Sequence, residues 1–338
     1  MGTKIELVNQ LISSQRRIHL CTLPTPIEKP KGLQALVPSI DLLLKRDDVM
    51  ELALGGNKVR KLEFLMADAQ SKGCSTVITT GDLHSNHARL TAAAARKLGM
   101  KPILVLKGKK PDVITGNLML DYLFGADIRY FVGERKEIPS EMERIRKEED
   151  AKGERCYVIP SGGASAHGVL GYANAILELR EQLQAEADEI DYIVFATGSG
   201  ATQAGLVLGA KLAGLKARVV GVSAGDPASE IAGDVKRLVT EAANLLRIRV
   251  DLAPEDIIVN DDYTCGGYAH VTREVTDFIE TVARKEGLLV DPVYSGKAML
   301  GLVSLAKKGY FSKGSRVLFI HTGGEPIIFS HWRPSIRA

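Results

Sequence analysis

The stretch IDYIVFATGSGATQAGLVLGAKLAG, Ile190–Gly214, holds two apolar runs of different period around a glycine-rich turn. Ile190–Thr197 is apolar and β-branched after Asp191, which reads as a strand buried on both faces. ATQAGLVLGAKLAG reads as a helix ending at Gly214. Strand, tight turn and helix together form the unit of a parallel sheet covered by helices. The turn itself presents backbone N–H groups at a helix start, the geometry that holds a phosphate. It is neither GxxxxGK[ST] nor GxGxxG, because Gln203 stands where the third glycine would be. No acidic residue occupies the usual ribose-binding offset. A phosphate without a dinucleotide is therefore favoured, with an ordinary βα turn as the plain alternative.

The same alternation runs outward in both directions. STVITT (Ser75–Thr80), KPILVLKG, IRYFV, CYVIP, ARVVGVSA and SRVLFIHTGG read as strands. NHARLTAAAARKLG (Asn86–Gly99), the segment around GNLMLDYLFG and the charged GERKEIPSEMERIRKEEDAKGER read as helices. The fold class expected is α/β, with two domains, each a mostly parallel sheet flanked by helices. No Pro/Gly/Ser-rich linker separates them, so one is expected to be inserted in the other. Residues 68–171 would form the smaller domain, and 1–67 plus 172–338 the larger. Ligands in such folds bind beyond the carboxyl ends of the strands.

The bulk numbers exclude several classes. The chain has 338 residues, 45% hydrophobic and 25% charged, with a formal net charge of +3 and interspersed signs. That gives no electrostatic case for nucleic acid or membrane. No run approaches the roughly 20 apolar residues of a membrane span, and MGTKIELVNQ lacks a signal-peptide core. Cys21, Cys74, Cys156 and Cys265 are not spaced as CxxC, which fits free thiols in a reducing cytoplasm.

Five further stretches carry candidate chemistry. In TTGDLHSNHARL, Ser85 and Asn86 are good cap residues at a helix start, able to cradle a carboxylate together with His87. His84 and His87 are three apart without a third ligand, so no metal is expected. In GGNKVRKLEFLMADAQ, Lys58 falls within the apolar stripe of Val59, Leu62, Leu65, Met66 and Ala69, with Lys61 at its edge and Arg60 opposite. Lys58 is either a snorkelling lysine or a desolvated amine of depressed pKa, a nucleophile for a carbonyl. Tyr268 in CGGYAH, Tyr294 in GLLVDPVYSGKAMLGL and Thr322 in FIHTGGEP lie in loops near strand or helix ends. A buried amine, a phosphate loop not built for nucleotides and a carboxylate cradle together point to pyridoxal 5′-phosphate (PLP) and an amino-acid substrate.

Read along TPIEKP, LLKRDD, GGNKVRKLE, HSNHARLTAAAARKLG, IPSGGASAHGVLGY, TGSGATQAGL, LVDPVYSGKAMLGL and FIHTGG, nearly the whole chain resembles the PLP-dependent enzymes of fold type II. Within them it resembles the branch of 1-aminocyclopropane-1-carboxylate (ACC) deaminase and D-cysteine desulfhydrase. The resemblance implies the cofactor in the cleft between the domains, Lys58 as the Schiff-base lysine and Lys61 in support. It implies Asn86 on the cofactor's phenolic oxygen and Ser85 with its neighbours on the substrate carboxylate. It implies Thr197, Gly198, Ser199, Gly200, Ala201 and Thr202 on the phosphate and Thr322 at the ring nitrogen. Tyr268 and Tyr294 would flank the substrate as acid/base or positioning groups. A homodimer follows from the same resemblance.

ACC deaminases carry a glutamate directly after the loop tyrosine and a leucine in the late strand loop, where this chain has Ser295 and Thr322. Hydroxyls make the ring a weaker electron sink, adequate for β-elimination. The pattern resembles D-cysteine desulfhydrase and implies a carbon–sulfur lyase yielding pyruvate, ammonia and sulfide. The α-proton would go to Lys58 or, in an alternative version, to Ser85. L-cysteate sulfo-lyase, then ACC deaminase or a D-amino-acid deaminase or racemase, are the alternatives.

Overall fold

The structure is a computed structural model and describes residues 10–186 and 189–331. Its strands are β1 (Ile27–Glu28), β2 (Asp41–Arg46), β3 (Thr76–Asp82), β4 (Lys101–Lys107), β5 (Asp127–Phe131), β6 (Cys156–Ile159), β7 (Tyr192–Thr197), β8 (Arg218–Ser223), β9 (Ile258–Asn260) and β10 (Arg316–His321). One sheet has the order β1-β2-β10-β7-β8-β9, and the other β5-β4-β3-β6. Every neighbouring pair is parallel except β1 with β2. The strands of the second sheet all fall between β2 and β7 of the first in sequence.

The longer helices are α1 (Lys58–Ser71), α2 (Asn86–Lys97), α3 (Gly116–Leu123), α4 (Ile138–Asp150), α5 (Ala166–Glu186), α6 (Ala201–Ala213), α7 (Ala228–Leu245), α8 (Arg273–Glu286) and α9 (Ser295–Lys307). They cover both faces of the large sheet, which is why its strands read as continuous apolar runs. Ile193, Phe195, Val219, Leu318 and Ile320 pack against α5, α6 and α7. Their neighbours Tyr192, Val194, Val220, Val317 and Phe319 pack against α8 and α9. In the small sheet, Val77 and Ile159 meet α1 and α2, while Ile78, Ile103 and Val105 meet α4.

The sequence boundaries at 68 and 171 lie inside α1 and α5. These helices pack closely where Gly171 meets the backbone of Arg60, and a Cβ on Gly171 would lie 2.4 Å from the Arg60 carbonyl oxygen. The chain is therefore continuous helix at both positions, and α1 and α5 bridge the two sheets. That contact also buries charge. Arg60 is 1% exposed and pairs with Asp47 at 2.8 Å and Glu178 at 2.7 Å. Lys45 pairs with the same Glu178, and the Tyr172 hydroxyl donates to Asp47 at 2.5 Å.

Candidate active site

A cavity of about 500 Å³ opens where the carboxyl ends of both sheets face each other. Its walls follow strand ends: Thr80–Asp82 and Lys107 from the small sheet, Ala196–Gly200 and Ala224 from the large one, and Thr322 and Gly323 after β10. This is where a parallel α/β sheet presents backbone and loop groups to a ligand.

Lys58 is the first residue of α1 and reaches this cavity. The segment before it is pinned by backbone: Asn57 donates its N–H to the Thr322 carbonyl at 3.0 Å. Gly56 has a φ of 112°, and its Cα would lie 2.7 Å from a Cβ on Gly323. Only glycines allow the two loops to cross at that distance. The Lys58 amine donates to Asn57 Oδ1 at 2.8 Å, and Asn57 Nδ2 donates to Thr202 Oγ1 at 3.0 Å. Burial pushes the amine down to about 8, helped by the charge of Arg89 and opposed by Asp291. Lys61 is buried one turn on, donates to the Gly162 carbonyl at 3.1 Å and is held well below the usual lysine range by burial and by Lys58.

The turn Thr197–Gly200 leads into α6 through Gly200, whose φ is 76°. No side chain caps this helix start, so its first N–H groups are free for an anion. Thr197 Oγ1 is buried without a protein partner, and Thr202 is buried at the same edge. On the opposite wall Ser85 caps α2, its Oγ accepting from the Ala88 N–H at 3.1 Å, which leaves the hydroxyl proton free to donate. Asn86 Oδ1 accepts from Asn117 Nδ2 at 2.7 Å, so its own amide N–H₂ is left to donate. His87 is buried, with Nε2 2.8 Å from Thr79 Oγ1. Burial and the two lysines hold its pKa well below the usual histidine range, so the ring is neutral.

The Tyr268 and Tyr294 hydroxyls lie 2.6 Å apart on the cavity wall. Burial pushes both phenols up, so both are protonated donors at neutral pH.

A family model described as "Pyridoxal-phosphate dependent enzyme" matches residues 18–323. The chain belongs to this family. It is 43% identical over 326 residues to the Pyrococcus abyssi protein named "Putative 1-aminocyclopropane-1-carboxylate deaminase", covering 96% of each chain. It is 39% identical over 319 residues to the ACC deaminase of Methylobacterium nodulans, covering 90% of this chain and 93% of that one. The crystal structure of an ACC deaminase homologue superposes with a TM-score of 0.88 at 41% identity, over 96% of both chains. The protein is thus a PLP-dependent enzyme of fold type II, in the ACC deaminase family. The uncapped start of α6 and the orphaned Thr197 hydroxyl fit the phosphate of PLP, and the depressed amine of Lys58 fits its aldehyde.

For this PLP-dependent enzyme, the cavity brings together Lys58, Ser85, Asn86, His87, Thr197, Gly198, Ser199, Gly200, Thr202, Tyr268, Tyr294 and Thr322. Ala201 is different. Its side chain packs in the core under α6, so only its backbone N–H is available to an anion. The expected hydroxyl pair also divides. Thr322 lines the cavity, but Ser295 does not; Ser295 is buried, and its hydroxyl donates to Asp291 Oδ2 at 2.7 Å. Asp291 is itself buried and takes N–H bonds from Val293, Tyr294 and Ser295 at 2.8 Å, while burial pushes its carboxyl up.

Asn57, Asn117 and Asp291 are the residues that sequence reasoning missed. Asn57 was legible as a polar residue just ahead of Lys58. Asn117 acts through a contact 31 residues away and left no local pattern, whereas Asp291 accepts from groups two to four residues on, ahead of α9, a local capping signal.

Among the described residues, Asp48, His321 and Glu325 are the one cluster close enough to share a metal ion. Both His321 nitrogens are already taken, Nδ1 by the Gly323 N–H at 3.1 Å and Nε2 at the Leu289 carbonyl at 2.8 Å. No described helix is long and apolar enough to cross a membrane.

Proposed function

We propose that this enzyme catalyses α,β-elimination on a small β-substituted amino acid, with D-cysteine as the substrate that fits best. The observation that carries this reading is the convergence of Lys58, the α2 start and the two phenols on one cavity whose late-strand residue is Thr322. When bound, PLP supplies an electron sink conjugated to the substrate's α-carbon. The uncapped N–H groups at Thr197–Thr202 would hold its phosphate, and the free Asn86 amide N–H₂ would be the donor to its phenolic oxygen. The α2 start, with the Ser85 hydroxyl, holds the substrate carboxylate against N–H groups. The Lys58 amine, neutral in good part near pH 8, takes the α-proton. Tyr294, relayed by Tyr268, donates a proton to the departing sulfur. Water then completes the balance: D-cysteine and water yield pyruvate, ammonia and hydrogen sulfide.

A second reading, ACC deamination to 2-oxobutyrate and ammonia, is favoured by the names of the relatives. L-cysteate is a third candidate substrate. A panel of D-cysteine, L-cysteine, L-cysteate, D-serine and ACC, read as pyruvate or 2-oxobutyrate, separates the readings. Pyruvate from D-cysteine above the others supports the first. 2-Oxobutyrate from ACC at a higher kcat/KM sinks it in favour of the second. A homodimer and a cytoplasmic location belong to the same proposal, the first checked by sedimentation of the purified enzyme.

A further inference from the structure

Lys297 takes no part in the scheme above, yet it is a charged side chain with 0% exposure. It is the third residue of α9, and a cation in the first turn of a helix opposes the helix dipole. Its amine donates to three backbone carbonyls: Ala224 at 3.1 Å, Thr264 at 2.7 Å and Gly267 at 2.8 Å. Burial lowers its pKa from the ordinary lysine value. Three acceptors nevertheless match the three hydrogens of an ammonium, whereas the neutral amine carries two, so the carbonyls hold the charged form.

These carbonyls belong to two loops. Ala224 follows β8, while Thr264 and Gly267 lie between β9 and α8. Gly267 immediately precedes Tyr268. In this second loop Cys265 and Ala269 both have a φ of 56°, a region that residues with a Cβ occupy only where the surroundings fix them. The two loops touch at Gly225, where a Cβ would lie 2.3 Å from the Tyr268 nitrogen. Tyr294 is the residue directly ahead of α9. One ammonium thus joins the backbone segments that carry both phenols, whose hydroxyls lie 2.6 Å apart.

We propose that Lys297 is a positioning residue whose ammonium serves as a built-in monovalent cation, fixing the Tyr268 loop against α9 so that the two hydroxyls meet at the cavity wall. The inference rests on the reading of Tyr294 and Tyr268 as proton donors to the leaving group. Backbone carbonyls that converge on one point replace the hydration shell of a bare monovalent cation as readily as they accept from an ammonium. Cutting the side chain back to Cβ therefore leaves a site that potassium or ammonium ion can fill and that tetramethylammonium is too large to enter. Methionine fills the same space without charge and leaves the three carbonyls facing an apolar chain.

The test uses the holoenzymes of Lys297→Ala and Lys297→Met in potassium, ammonium or tetramethylammonium chloride at equal ionic strength. Lys297→Met should lower kcat about a hundredfold with KM near wild type, as expected for a proton donor displaced by about an ångström. Lys297→Ala should lose as much in tetramethylammonium chloride and recover about tenfold or more in potassium or ammonium chloride. Wild type should respond equally to all three salts. A second readout needs no turnover: potassium should raise the thermal midpoint of Lys297→Ala above its value in tetramethylammonium, and should not do so for Lys297→Met. Equal kcat of Lys297→Ala in all three salts, or a kcat of Lys297→Met within about threefold of wild type, overturns the proposal. If Lys297→Ala does not fold, Lys297→Met decides alone. If wild type eliminates from no amino acid, the reaction proposed above fails, and the thermal midpoints decide whether Lys297 fills a cation site.

Discussion

The depressed amine of Lys58 makes a quantitative prediction about how the enzyme acquires its cofactor. An ordinary lysine titrates near 10.5, so only about a thousandth of it is neutral at pH 7.5. With the value held near 8, roughly a quarter is neutral at that pH. The folded protein should therefore capture the aldehyde about two hundred times faster than an unperturbed amine of equal accessibility. The sign follows from burial: desolvation disfavours the charged form of a lysine, so the neutral fraction grows as pH rises and saturates above the lowered pKa. The assay is the stopped-flow rate of PLP binding to apoprotein, followed by absorbance from pH 6.5 to 10. The expected profile rises and levels off near pH 8, and Lys58→Ala abolishes the signal. Asp291→Asn should move the inflection downward, because the Asp291 charge opposes the shift. A rate still climbing tenfold per pH unit through 9.5 would refute the desolvated amine and return Lys58 to the snorkelling class.

Three other outcomes test separate parts of the structure. Arg60→Met leaves the buried Asp47 and Glu178 facing Lys45 alone, and should cost about 3–5 kcal/mol in urea unfolding of the holoenzyme. A loss below about 1 kcal/mol would show that the network is not needed to hold α1 against α5. Gly81→Ala puts a Cβ 2.3 Å from Ser85 Oγ, so the carboxylate cradle must shift. Its KM should rise about tenfold or more with little change in circular dichroism, and an unaltered KM would remove Ser85 from substrate binding. Tyr294→Phe removes the donor while leaving the ring, and should lower kcat about a hundredfold on a substrate with a poor leaving group. A kcat within about threefold of wild type would pass the acid role to another group.

The parts of the fold that were legible in the sequence share one cause. β7 and α6 sit side by side in the chain, and the change of hydrophobic period between them is a local signal that survives without any tertiary information. β2 and β9 carry weaker local signals and take their place from pairing with β10 and β8, far away in the chain. The site divides along the same line. Lys58, Ser85 and the Thr197–Thr202 turn follow from what a helix start and a strand end do to backbone N–H groups. Asn57 and Asn117 follow from side chains meeting across the fold, and Asp291 from the turn into α9, where it accepts from Val293, Tyr294 and Ser295. Ser295 shows the consequence for substrate choice. As a residue after a tyrosine it stood for a hydroxyl at the ring nitrogen and hence for a weak electron sink. In the fold its hydroxyl is turned away from the cavity and donates to a buried carboxylate. Burial raises the Asp291 carboxyl, and the Ser295 hydroxyl with three backbone N–H groups opposes that rise. With that hydroxyl committed to Asp291, Thr322 is the member of the expected hydroxyl pair that stays on the cavity wall.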